Sequence, residues 1–168
     1  MNLAIPSAIQ VSLDNSTWYK LSEHNRSPIS SNYEIIEHSQ RMANGTMRKY
    51  VIAKKLKVSS DWKDIPTLDS NLVDAGTNIV GGAWMKAFYE ANVFTPIYVK
   101  LIYAQDTVPS SGTAPSSSTY LDSFKTTGQI INAYMTSFTY DVSKRRTGSV
   151  GLSTGYDYVN VKIEFTEI

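Results

Sequence analysis

The segment from Tyr33 to Val58 is an almost unbroken β-pattern folded about a single tight turn, Asn44-Gly45. Asn-Gly is the preferred pair for a two-residue type I′ hairpin turn, because both central positions need positive φ, so the pair specifies register as well as a hairpin. With Ala43 facing Thr46, Glu34 falls opposite Lys55, Ile36 opposite Ala53, Tyr33 opposite Leu56 and Arg41 opposite Arg48. Each arm then reaches roughly 35 to 45 Å at about 3.3 Å per residue, well beyond a strand of ordinary length. Such arms outgrow the core of a small domain. An exposed hairpin of this length is an aggregation hazard for a monomer, so assembly with other chains is the simpler expectation.

The remainder of the chain describes an ordinary soluble domain. At 168 residues it can bury one core of good size, and it reads as a single domain spanning 1–168. A formal net charge of +1 excludes the bulk electrostatics of a general nucleic-acid coat or a membrane-surface protein. With no cysteine there is neither a disulfide framework nor a thiolate metal site, and production in a reducing cytoplasm carries no redox risk. The opening Met1-Asn2-Leu3-Ala4-Ile5-Pro6 lacks the pattern of a signal peptide, and no apolar run approaches the roughly twenty residues of a membrane span.

Strands dominate the pattern. Ile9, Val11 and Leu13 alternate with polar residues, break at Asn15-Ser16 and resume from Trp18 to Leu21 as a first short hairpin, followed by a loop over 22–31. After the long hairpin, 59–75 reads as an extended connection whose Trp62, Ile65, Leu68, Leu72 and Val73 can pack on something. One helix is expected over about 76–91, with Ile79, Val80, Ala83, Trp84, Ala87, Phe88 and Ala91 on one stripe, Asp74 or Thr77 as cap and Asn92 at the exit. Pro96 restarts a strand through Ile97, Val99, Leu101 and Tyr103, and the Ser/Pro-rich stretch at about 105–123 reads as a mobile surface loop.

Ile130 to Val142 is apolar on both faces, with Tyr134, Phe138, Tyr140 and Val142 on one and Ile131, Ala133 and Met135 on the other, as in a doubly covered strand. Lys144-Arg145-Arg146-Thr147-Gly148 reads as a basic turn, and Tyr158 to Glu167 alternates as a last strand with Val159, Val161, Ile163 and Phe165 inward. The expected fold is mainly β: an antiparallel sandwich or barrel with one flanking helix and a long protruding hairpin at about 33–58.

This layout carries a resemblance. The short hairpin with Trp18, the arm Arg41-Met42-Ala43-Asn44-Gly45-Thr46-Met47-Arg48-Lys49-Tyr50, the Ser59-Ser60-Asp61-Trp62 step, one helix with Gly-Ala-Trp and Ala-Phe-Tyr, and the late Lys-Arg-Arg-Thr-Gly run follow one another in an order that resembles the tail-tube (major tail) proteins of long-tailed bacteriophages. The resemblance extends from Ala8 to Phe165. It implies a non-enzymatic virion protein, made in the host cytoplasm, that closes hexameric rings through a continuous inner β-barrel. The rings stack into a tube that conducts DNA without sequence-specific binding, beside other tail proteins. Related expectations are a terminator or distal-tail ring, or the tube of a contractile injection system.

Catalytic readings are weaker. Gly151-Leu152-Ser153-Thr154-Gly155 matches the spacing of a nucleophile elbow, but both histidines, His24 and His38, precede it and a strand rather than a helix follows. Glu34 and His38 share a strand face while Glu37 points the other way, too few ligands for a closed metal site. Asp69, Asp74, Asp122, Asp141 and Asp157 show no spacing that pairs two carboxylates. The Asn-X-Ser/Thr triplets at Asn15, Asn25 and Asn44 read as turns, and no cofactor is implied. The chemistry-bearing candidates are therefore surface elements. They are the hairpin tip (Arg41, Met42, Asn44, Gly45, Met47, Arg48, Lys49) and the basic turn (Lys144, Arg145, Arg146), which can meet acidic groups on a neighbouring subunit. From a different class, a carbohydrate-binding β-sandwich module would use Trp18, Tyr19 and Trp62 as stacking aromatics.

Overall fold

The computed structural model describes residues 8–67, 78–102, 129–146 and 156–168. Its elements in chain order are β1 (Ala8–Ser12), β2 (Tyr19–Leu21), β3 (Ser30–Arg41), β4 (Met47–Pro66), β5 (Ile79–Val80), α1 (Gly82–Asn92), β6 (Ile97–Ile102), β7 (Gln129–Arg146) and β8 (Tyr156–Glu167). The protein is mainly β; the described residues form one helix and a single mixed sheet of eight strands ordered β3-β4-β8-β7-β6-β1-β2-β5. Every pairing is antiparallel except the short parallel contact of β2 with β5.

The sheet rolls until its two ends approach one another. Beyond β2 the chain passes along the edge of β4, where Ser27 N donates to Asp61 O (2.8 Å), Lys63 N donates to Asn25 O (3.2 Å), and Arg26 bridges Trp62. Inside lie Ile9 and Val11 of β1, Leu21 of β2, Leu56, Val58, Trp62 and Ile65 of β4, Ile97, Val99 and Leu101 of β6, and Val159, Val161, Ile163 and Phe165 of β8. Strand alternation places these residues on one face, and burial of that face is the main driving force for rolling the sheet. Trp62 is the largest fully buried side chain among the described residues, and its indole Nε1 donates to Ser22 O at 2.6 Å, fastening β4 to the end of β2.

Two β-bulges keep the inward face continuous. In β4, Trp62 pairs with Val161 and Ile65 with Val159, so Lys63 and Asp64 together oppose Asn160. Asp64 takes φ 51°, its amide donates to Asn160 Oδ1 (3.0 Å), and the extra residue returns Ile65 to the core. Hydrogen bonding from the Ser143 hydroxyl, aided by Lys144, holds the Asp64 carboxyl below the usual carboxylate range. In β7 the register shifts between Met135 and Ser137, which moves Phe138 and Tyr140 onto the face of Ile131, Ala133 and Met135. Phe138 stacks on Tyr89 of α1 at 4.8 Å and Tyr140 lies under Lys86. The expected split of β7, with Phe138 and Tyr140 beside Tyr134, is therefore corrected by the bulge.

The helix is shorter than the periodicity suggests. Ile79 and Val80 belong to β5, where both are buried, and α1 begins at Gly82. The expected caps Asp74 and Thr77 lie outside the described residues; the observed N-cap is Gly81, without a side-chain cap, and Ala83 N donates to Thr67 O at 3.2 Å. Asn92 ends the helix, its side-chain amide donating to Phe88 O (2.8 Å). The core-facing residues are Gly82 and Met85, with Trp84, Phe88 and Tyr89 half-buried; Ala83, Ala87 and Ala91 are exposed. Trp84 is clasped between Tyr19 (4.9 Å) and Phe88 (4.7 Å).

Gly82 is fixed by proximity rather than by φ, since a Cβ there would stand 2.5 Å from Val159 Cγ2, on a stiff branched side chain. Gly82→Ala is expected to lower stability by about 1–3 kcal/mol, as overpacking does, despite the better helix propensity of alanine. A thermal melt checks this, and adding Val159→Ala should make the alanine at position 82 better tolerated than it is in the parent background.

The β1–β2 turn is held locally. Asp14 accepts hydrogen bonds from Ser16 N (2.9 Å), Thr17 N (2.8 Å) and the Ser12 hydroxyl (2.8 Å). Hydrogen bonding from the Ser16 hydroxyl, then from these amides, holds its carboxyl well below the ordinary range. Asn15 and Asn25 take left-handed φ of 58° and 51°, as turn asparagines do.

Candidate assembly hairpin

β4 is twenty residues long, continuing through the segment expected to be a connection as far as Pro66, and only its second half is built into the barrel. β8 pairs with it from Lys57 to Pro66. The junction is marked by Leu56 N, which donates to Glu167 Oε2 (2.8 Å), and by Lys55 Nζ, which donates to Ile168 O. Beyond it, residues 47–56 of β4 pair with β3 alone, an overhang of about 33 Å at 3.3 Å per residue. Every residue of β3 is exposed.

The base of the hairpin has the register expected from sequence: Tyr33 opposes Leu56, Glu34 opposes Lys55, and Ile36 opposes Ala53. The tip does not. A bulge at Ile52 shifts the register, so Glu37 opposes Val51, Gln40 opposes Arg48 and Arg41 opposes Met47. The expected Arg41–Arg48 opposition is thereby corrected: the two arginines lie on opposite faces, and no like-charge pair needs compensation.

The cause is in the turn. Met42 N donates to Thr46 O (2.8 Å) and Gly45 N to Met42 O (2.9 Å), which makes Ala43-Asn44-Gly45 a three-residue loop. Gly45 alone takes positive φ (82°), so the turn is a type I turn closed by a left-handed glycine rather than the type I′ turn expected. Asn44 acts through its side chain, Oδ1 accepting from Thr46 N (3.1 Å) and from the Thr46 hydroxyl (2.6 Å). The longer loop and the bulge at Ile52 offset one another, so the base keeps its register.

Eight of the fourteen exposed large hydrophobic side chains among the described residues sit on this hairpin: Tyr33, Ile35, Ile36, Met42, Met47, Tyr50, Val51 and Ile52, the last 72% exposed. Alternation and register place Tyr33, Ile35 and Val51 on the face continuous with the barrel interior, and Ile36 and Tyr50 on the reverse. Both edges are open as well, because no described strand pairs with the outer side of β3 or with residues 47–56 of β4 on the side away from β3. Ion pairs stiffen the arms: Lys49 with Glu37 at 2.5 Å and Lys57 with Glu34 at 2.9 Å, the latter raising the Lys57 pKa through its hydrogen bond. Lys54 lies 3.8 Å from the Tyr33 ring centroid.

The second basic candidate is not a turn over the residues described. Lys144, Arg145 and Arg146 are the last residues of β7, paired with Tyr158, Asp157 and Tyr156, and Lys144 Nζ lies 3.5 Å from Asp64 Oδ2. Nothing brings this group to the hairpin tip, because the β7–β8 end lies opposite the strand ends at which the hairpin emerges. Thr147-Gly148, the Gly151–Gly155 stretch with Ser153, and the loop at about 105–123 lie outside the described residues.

Trp62 is 1% exposed and engaged through its indole nitrogen, which removes it from a sugar-stacking platform; Tyr19 is taken by Trp84, and Trp18 carries Lys100 Nζ at 4.1 Å. A shallow open cleft of about 150 Å³ crosses the outer face of β4, β8 and β7, bordered by Asp61, Lys63, Thr139, Asp141, Asn160 and Lys162. Among the described residues no three His, Asp or Glu side chains converge as metal ligands, and no helix is long and apolar enough to cross a membrane.

The apolar character of the hairpin on both faces is also written in its sequence. Its signal was the run Tyr50-Val51-Ile52, three large β-formers that an alternating strand cannot all turn inward. A scan against protein-family models finds no match for this chain, and a search of curated proteins returns no significant one.

Proposed function

We propose that this chain is a structural, non-enzymatic subunit that assembles through the β3–β4 hairpin into stacked rings, as do the phage tail-tube proteins it resembles. One observation carries the reading: a hairpin apolar on both faces and open along both edges, which nothing among the described residues covers. A lone chain gains nothing from such an element and risks uncontrolled pairing, whereas closure with copies of itself satisfies the backbone groups and removes the edges. The β3 edge of one hairpin and the free β4 edge of the next run antiparallel when hairpins stand side by side, so head-to-tail addition closes a ring if the rotation per copy allows it. Six copies per ring, passage of DNA through the lumen and residence in a virion are what the resemblance adds. A terminator ring, a distal-tail ring or an injection-system tube is the second reading, and it rests on the same open hairpin.

Size-exclusion chromatography with negative-stain microscopy tests the reading. Rings or tubes are expected at micromolar concentration; a strict monomer across the accessible concentration range overturns it. Reversing the two tip arginines, Arg41→Glu with Arg48→Glu, is expected to shorten or abolish stacked tubes if the tip meets acidic groups on a neighbour. The melting free energy should stay within about 0.5 kcal/mol, because both changes are on the surface. Tubes of normal length would mean that these arginines face water.

A further inference from the structure

We propose that Asn44 is a site of spontaneous self-modification, in which the hairpin tip converts its own asparagine to aspartate and isoaspartate. The reacting groups are adjacent in the chain. The Gly45 backbone nitrogen, on losing its proton, attacks the Asn44 side-chain carbonyl carbon. A C–N bond closes a five-membered succinimide, and the side-chain nitrogen leaves with that proton as ammonia. Water then opens the ring at either carbonyl, so the net change is the uptake of one water and the release of one ammonia, with no oxidant or cofactor. Nothing obstructs the attack at Gly45, since even a Cβ built there would meet no atom within 4 Å.

Three hydrogen bonds act as the brake. Gly45 N–H is committed to Met42 O (2.9 Å), and Asn44 Oδ1 is held by Thr46 N (3.1 Å) and the Thr46 hydroxyl (2.6 Å), so these bonds must be released before the nitrogen can attack the carboxamide. Residues 42–47 are all exposed and stand at the end of the overhang, where local opening costs little compared with global unfolding. Modification therefore proceeds through a frayed tip, and a chain docked over the tip suppresses it. The product adds a carboxylate to a tip whose nearby charged residues include Arg41 and Arg48 on opposite faces. As isoaspartate it also lengthens the three-residue loop by one backbone carbon, which the closing bond from Met42 N to Thr46 O does not accommodate. An unassembled subunit thus has a limited period in which its tip keeps its charge and shape.

The test is incubation of the purified full chain at mildly alkaline pH for days, followed by peptide mass spectrometry and enzymatic isoaspartate labelling. The expected result is a gain of one dalton confined to the peptide bearing Asn44, with isoaspartate in excess. Asn15, Asn25, Asn132 and Asn160, none followed by glycine, should stay unchanged over the same period. Thr46→Val, which removes the hydroxyl hydrogen bond at an exposed position, should accelerate the conversion about fivefold, the factor one net hydrogen bond contributes. Two results overturn the proposal: Asn44 intact in the folded chain while the same chain in urea converts there, or a Thr46→Val rate no faster than the parent's.

Discussion

Removing residues 37–52 and joining Ile36 to Ala53 through an Asn-Gly turn is expected to yield a folded, soluble subunit that no longer self-associates. Ile36 and Ala53 are direct partners below the bulge, so a two-residue turn between them needs no change of register. The excision takes away Met42, Met47, Tyr50, Val51 and Ile52, all exposed, and leaves every buried core residue in place. Its cost to subunit stability should therefore be small, within about 0.5 kcal/mol, as for surface changes generally. The effect on assembly should be complete, because five of the eight exposed large apolar side chains and about half of the open edge are lost together. Sedimentation velocity beside a melting curve separates the two. Assemblies of parental size would place the interface elsewhere on the subunit, and an unfolded product would mean that the overhang supports the barrel after all.

The largest effect on folding is expected at Trp62. Truncation to alanine removes the largest fully buried side chain among the described residues, a change that costs about 3–5 kcal/mol in protein cores. It also removes the hydrogen bond from the indole to Ser22 O at 2.6 Å, which adds about 0.5–1.5 kcal/mol. A domain of this size has a total stability on the order of 5–15 kcal/mol, so Trp62→Ala should be largely unfolded or close to it at 37 °C. Trp62→Phe keeps most of the volume and loses the hydrogen bond, and should fall between the two. Trp84→Ala is the contrast: its half-exposed ring rests on Tyr19 and Phe88 at the surface, and its removal should cost less than that of Trp62. Urea titrations rank the three variants, and an order with Trp84→Ala as the most damaging would relocate the centre of the core to the helix.

Much of the fold was legible in the chain because the period of a strand is short and its punctuation is chemical. Strict alternation in Ile9 to Val11, Ile97 to Leu101 and Val159 to Phe165 identified strands and their inward residues, whereas Leu13 lies beyond β1 and is exposed; the Asn-Gly pair located the long hairpin and the register of its base. The bulges at Ile52, at Lys63-Asp64 and at Thr136 were not legible. A bulge inserts one residue without a distinctive residue type, and its effect is to exchange the two faces of everything beyond it. For that reason Phe138 and Tyr140 were placed on the wrong side, and Arg41 opposite the wrong partner. The helix boundary failed for a related reason: Ile79 and Val80 fit a helical stripe, but pairing with Lys20 and Leu21 across the sheet captured them into a strand.

By itself the sequence determined most of the strands, where the long hairpin reverses, and that this hairpin is too long for its own core. It could do so because alternation, turn residues and strand length are local properties. Only the tertiary structure decided which face of each strand is buried, that Trp62 belongs to the core rather than to a binding surface, and that the outer part of the hairpin is apolar on both faces with no cover among the described residues. Those outcomes depend on register and on closure of the rolled sheet, where a one-residue shift in one strand is read by every strand paired to it.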